Sequence, residues 1–130
     1  MKTTTTWKTG HEFDSLHEHN QVKLDGDIKN GFSPKAMLLS GLAACSGIDI
    51  VDILEKMKVP VESMVIDTEA DQTEVHPRVF KDILITYRIR SAAGNENKIR
   101  KAIELSLNKY CGVSAMLKKN SQIDYKLILE

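Results

Sequence analysis

Between Ala36 and Val51 the chain carries a single charged residue, Asp49, and charges return together only at Asp52, Glu55, Lys56 and Lys58. Ser33 is a good helix N-cap, and Pro34 at the first helical position forfeits no needed hydrogen bond. The run predicts a helix that opens at Ser33-Pro34 and stops before Pro60. A helix that is apolar nearly all round has no face to give to water and must be buried. Spanning a bilayer takes about 20 predominantly apolar residues. This run is shorter, and its Ser40, Gly41, Ala43, Ala44, Ser46 and Gly47 suit close approach of another protein backbone. No membrane partner is expected. A chain of 130 residues builds one domain, residues 1–130, of two packed layers that leave one side of each helix exposed. Complete burial of this helix therefore calls for a second subunit, and the expectation is an obligate homodimer with a large apolar interface.

The remaining elements follow from periodicity. Thr4, Thr6, Trp7, Phe13, Val22 and Leu24 favour pleated surfaces and predict two or three short antiparallel strands in the first thirty residues, with Asp25-Gly26-Asp27 as a turn. Val61–Asp71 reads as a further strand. Ile83, Ile85, Tyr87 and Ile89 alternate with Leu84, Thr86, Arg88 and Arg90, the period of a half-buried strand. Ile99, Ala102, Ile103, Ser106 and Tyr110 fall at helical spacing and predict a second helix over about Glu96–Lys109. A break at Cys111-Gly112 and a short helical turn come next, and Ile123, Tyr125, Leu127 and Leu129 alternate as the last strand. The order of strands, helix, strands, helix, strand is α+β, not repeating βαβ.

Composition narrows the function classes. With 42% apolar and 28% charged residues the chain is an ordinary globular one. Eighteen basic side chains balance eighteen acidic ones. That balance argues against a nucleic-acid partner, because neutralising phosphates needs an excess of Lys and Arg. Two cysteines, Cys45 and Cys111, are too few for a disulfide-stapled scaffold. The first seven residues lack the apolar core of a signal peptide, so the cytoplasm is the expected compartment. The cysteines are 66 residues apart, far from metal-ligand spacing. They are either inert core thiols or a redox couple. His17-Glu18-His19 would put two imidazoles on one face of a strand, with His11 nearby. The plainer reading is a polar hairpin edge. His76-Pro77-Arg78 reads as a turn between strands. Met37, Met57, Met64 and Met116 are either core filler or the lining of an apolar pocket.

The cysteine surroundings resemble a known family. Gly31-Phe32-Ser33-Pro34, followed by a small-residue helix with Ala43-Ala44-Cys45, is similar to the OsmC/Ohr proteins of osmotic induction and organic hydroperoxide resistance. Leu105-Ser106 through Tyr110-Cys111, with Val113-Ser114-Ala115-Met116-Leu117, looks like the family's second signature. Ile48-Asp49 after the first cysteine and Tyr-Cys at the second resemble one of its less studied subgroups. The resemblance covers nearly the whole chain. It implies an intertwined homodimer with both cysteine helices at its centre and two active sites at the subunit interface. It also implies reduction of a small apolar hydroperoxide, with Cys45 as the peroxidatic and Cys111 as the resolving thiol. A dithiol, such as a lipoylated protein, would restore the reduced form, without metal, haem or flavin.

The match departs from the family around the first thiol. The family's peroxidases place an arginine in the N-terminal strands, held by a glutamate just after the helix-opening proline. Here the first arginine is Arg78, and Lys35 follows Pro34. Lys35 precedes Cys45 by ten residues, roughly 15 Å along a helix, too far to stabilise the thiolate of its own chain. A cation from a partner subunit, or from His11, His17 or His19, is the expected substitute. Asp49 lies four residues after Cys45 on the same helical face. As a buried carboxylate it would disfavour the thiolate, and as a structural acid it would pair with backbone or with the Tyr110 hydroxyl. The alternative function is a binding module that keeps the fold and holds an apolar ligand without peroxidase turnover.

Overall fold

A computed structural model describes residues 1–130. The chain forms two compact units, Met1–Leu39 and Ser40–Glu130. The first contains β1 (Thr4–Thr9), β2 (Glu12–His17) and β3 (Asn20–Asp25), an antiparallel sheet in the order β1-β2-β3. Asp25 closes the segment after β3. Its carboxylate accepts the backbone N–H groups of Asp27, Lys29 and Asn30 at 2.8–3.2 Å. These bonds hold the carboxyl below its ordinary acid range. Lys23 and Phe32 then pair through backbone, and the close approach leaves no room for a side chain at Gly31.

Helix α1 (Pro34–Lys56) begins as its sequence dictates, with the Ser33 hydroxyl accepting the Ala36 N–H at 3.2 Å. Pro60 does not itself end it. Lys58 adopts a left-handed backbone (φ 58°), and the Val59 N–H reaches back to the Leu54 carbonyl at 2.9 Å. By length and composition alone α1 could cross a membrane. Core helices of globular proteins pass the same test. In this fold it buries Leu42, Ser46, Gly47, Ile50 and Leu54. Leu38, Ile48 and Val51 remain exposed, so one chain covers only one side of the helix.

In the second unit β4 (Ser63–Gln72), β5 (Phe80–Arg90) and β6 (Gln122–Leu129) form a sheet in that order, with β5 antiparallel to β4 and parallel to β6. Ile83, Ile85, Tyr87 and Ile89 of the central strand are buried, as their alternation predicts. Each such side chain contributes roughly 1.5–3 kcal/mol. The sheet meets α1 where Gly47 runs so near Ile66 that an added Cβ would stand 3.1 Å from its Cδ1. Helix α2 (Glu96–Leu105) buries Ile99, Ala102 and Ile103. It does not continue as an α-helix to Lys109. Ser106–Tyr110 is a π-helical segment in which the Cys111 N–H bonds the Ser106 carbonyl, five residues back, at 2.8 Å. Helix α3 (Gly112–Lys118) follows. The α+β class and the order of elements are those read from the sequence.

Candidate active site

Cys111 ends the π segment and caps α3. Its backbone is extended, and its sulfur accepts the Ser114 N–H at 3.3 Å. Its carbonyl accepts the Ala115 N–H at 3.1 Å. The carbonyl of Leu107, freed where the helix changes pitch, is taken by the Ser114 hydroxyl at 2.9 Å and by the Lys118 ammonium. Cys111 is thereby held from both sides, and it is buried.

Cys45, half-buried on α1, lies near enough to Cys111 for its sulfur to act on the Cys111 thiol. The helices meet, and both thiols are free. Burial pushes the Cys111 thiol up to about 11, and the neighbouring Cys45 sulfur adds to the shift. The Ser114 N–H pulls the other way and loses. At neutral pH Cys111 keeps its proton.

A line of hydroxyls runs beside the pair. Tyr87, fully buried on the inward face of β5, needs a partner for its phenol. It finds the Ser46 hydroxyl at 2.6 Å. Ser46 in turn lies 3.1 Å from the hydroxyl of Ser106. Ser106 donates to Asp49 Oδ2 at 2.9 Å. Burial first, with the Cys111 sulfur and Asp49 adding to it, pushes the Tyr87 phenol up to about 12 against the opposing Ser46 bond. Every buried side-chain polar atom in the fold has a partner.

Asp49 is thus a paired acid, but its partner is the Ser106 hydroxyl and not backbone or Tyr110. Tyr110 is exposed, with the Lys109 ammonium 5.3 Å from its ring centre. Asp49 and Tyr110 instead line the same cavity of about 400 Å³, together with Asp52, Ile53, Lys56, Met57 and Leu105. Lys35 stands in the first turn of α1, in the N-terminal unit. Arg78 is exposed in the β4–β5 connection. His11 pairs with Asp27 at 3.0 Å and His17 with the Lys2 carbonyl at 2.9 Å. The two imidazoles of His17 and His19 do not share a strand face. β2 ends at His17, and the left-handed Glu18 starts the hairpin turn. No trio of His, Cys, Asp or Glu side chains is grouped to hold a metal ion.

Sequence reasoning gives Ser46, Ser106 and Tyr87 no role at the site, although Ser106 stands in the second signature. A further signal is a tyrosine in an inward row otherwise made of isoleucine, since a buried phenol must find a polar neighbour.

Residues 9–126 match the family described as OsmC-like protein. Protein YhfA of Escherichia coli strain K12 is 30% identical over 128 residues, 96% of this chain and 95% of that protein. A hypothetical protein from Aquifex aeolicus VF5 is similar in structure, with a TM-score of 0.85 and 26% identity over 99% of this chain and 96% of that one. An OsmC-like protein from Mycoplasma pneumoniae shares the fold at a TM-score of 0.83 and 19% identity, over 98% and 96% of the two chains.

Proposed function

Since the chain belongs to the OsmC-like proteins, we propose that it is a cysteine-based peroxidase that reduces small apolar organic hydroperoxides and works as a homodimer in a reducing, cytoplasmic setting. The observation that carries this reading is the nearness of Cys45 to Cys111, 66 residues apart in the chain, on elements that Ser106 joins by hydrogen bonds. Of the two thiols, Cys45 is the more accessible and is left to act as nucleophile. Its sulfur attacks the O–O bond, the alkoxide leaves and takes a proton to become the alcohol, and Cys45 becomes a sulfenic acid. Cys111 then displaces the hydroxyl. The Cys111 proton leaves with it as water, and a disulfide remains. One hydroperoxide and two thiols thus give one alcohol, one water and one disulfide. An external dithiol returns the pair to the reduced state by exchange.

The test is a thiol count. Reduced protein mixed with one equivalent of cumene hydroperoxide loses two thiols per chain, faster than free cysteine does, and Cys45→Ser abolishes the loss. Loss no faster than for free cysteine sinks the peroxidase reading. A second reading, a module holding an apolar ligand, draws on the cavity beside Asp49 and on Lys35 standing where the family has its glutamate. It predicts slow thiol loss together with saturable binding of a fluorescent fatty acid, competed by other apolar ligands.

A further inference from the structure

We infer that Ser106 is a positioning residue for the cysteine pair, fastening the segment that carries Cys111 to the helix that carries Cys45. The inference rests on the redox reading above. Through its side chain Ser106 reaches two residues of α1, one and four positions beyond Cys45: Ser46, at Oγ (3.1 Å) and less closely at its carbonyl (3.4 Å), and Asp49, at Oδ2 (2.9 Å). Through its backbone carbonyl it holds the Cys111 N–H at 2.8 Å. A single residue therefore links both cysteine-bearing elements. The i→i−5 bond that makes this linkage is the one that turns the end of α2 into a π segment.

Ser106 is fully buried, so no solvent is at hand to replace its hydroxyl. Ser106→Ala would leave Asp49 without this donor and Ser46 with Tyr87 as its remaining hydroxyl partner. The π segment would then lose the Ser106 hydrogen bonds that fix its azimuth on α1. Two thiols close a disulfide in proportion to the time they spend in register, which is an effective concentration. The latch raises that concentration without touching either sulfur.

The experiment measures the Cys45–Cys111 disulfide equilibrium in buffers of oxidised and reduced dithiothreitol, with free thiols read by alkylation and mass spectrometry. In this exchange the two protein thiols give two electrons and two protons to the oxidised dithiothreitol, whose S–S bond breaks as the protein's forms. Ser106→Ala is expected to lower the equilibrium constant about tenfold, a shift of ~30 mV for a two-electron couple. Asp49→Ala is expected to move it the same way. Asp49→Asn, which keeps an oxygen to accept the Ser106 proton, stays near wild type. A loss of stability common to both redox forms would not move this constant. An unchanged constant in Ser106→Ala overturns the latch. If that variant does not fold, an unchanged constant in Asp49→Ala does so instead. Wild-type protein that forms no intrachain disulfide overturns the redox reading itself, before any variant is compared.

Discussion

Cys111 is the residue at which backbone geometry and acid–base chemistry meet. Burial raises its thiol from an ordinary 9.0 to about 11, although a backbone N–H points at the sulfur. Between pH 9 and 11 the folded protein holds a proton that the unfolded chain has given up. Stability conferred by that proton is complete below pH 9 and falls as pH rises toward 11. Reduced wild-type protein should therefore show a larger drop in urea midpoint between pH 8 and 10.5 than Cys111→Ser, whose hydroxyl does not titrate in that range. Tyr87, pushed up to about 12 in part by the Cys111 sulfur, contributes its own slope above pH 10 in both proteins, a weaker one in Cys111→Ser, which widens the difference in the same direction. Equal drops in the two would show that Cys111 is not desolvated as the fold requires.

At the scale of elements, helix ends decide what can meet. α1 stops at Lys56 because Lys58 takes the left-handed conformation and lets Val59 cap the Leu54 carbonyl. That conformation costs a non-glycine residue about 1–2 kcal/mol. Lys58→Gly should relieve most of this and, after the extra entropy of a glycine in the unfolded chain, stabilise the protein by ~1 kcal/mol in chemical denaturation. A destabilised variant would mean that the lysine side chain makes a contact worth more than the strain. Much of this layer was legible beforehand. Ser33-Pro34 marked the start of α1, and Ile83, Ile85, Tyr87 and Ile89 marked the inward face of β5, because capping and alternation are local physics. The π segment was not legible. Ser106–Tyr110 has helical spacing, and the side-chain partners of Ser106 stand on a helix 57 and 60 residues earlier. Periodicity names the face of an element but not the partner across it. For the same reason the Cys45–Cys111 meeting came from family resemblance and not from either cysteine's neighbours.

On the scale of the molecule, one chain leaves too much uncovered. In Met1–Leu39 the sole buried residue is Asp25, while Trp7, Leu16, Val22 and Phe32 lie exposed. A unit of that size does not ordinarily hold itself together without a staple, a metal or another subunit. In the second unit Ile48 and Val51 of α1 face solvent beside a groove of about 670 Å³ floored by Ala43, Ala44 and Gly47. Contiguous apolar surface of this kind marks an interface, and the proposed second copy of the chain would complete the burial a nearly chargeless helix demands. Sedimentation equilibrium at micromolar concentration should give twice the chain mass. Ile48→Glu separates the cases further. In a monomer the residue is 64% exposed, and such a surface change stays within about 0.5 kcal/mol. Across a closed interface it would bury an unpaired carboxylate, splitting the dimer and lowering the melting temperature. A wild-type monomer, or an Ile48→Glu protein with unchanged mass and melting, would leave α1 wetted along Ile48 and Val51 and remove the second chain from the proposed chemistry.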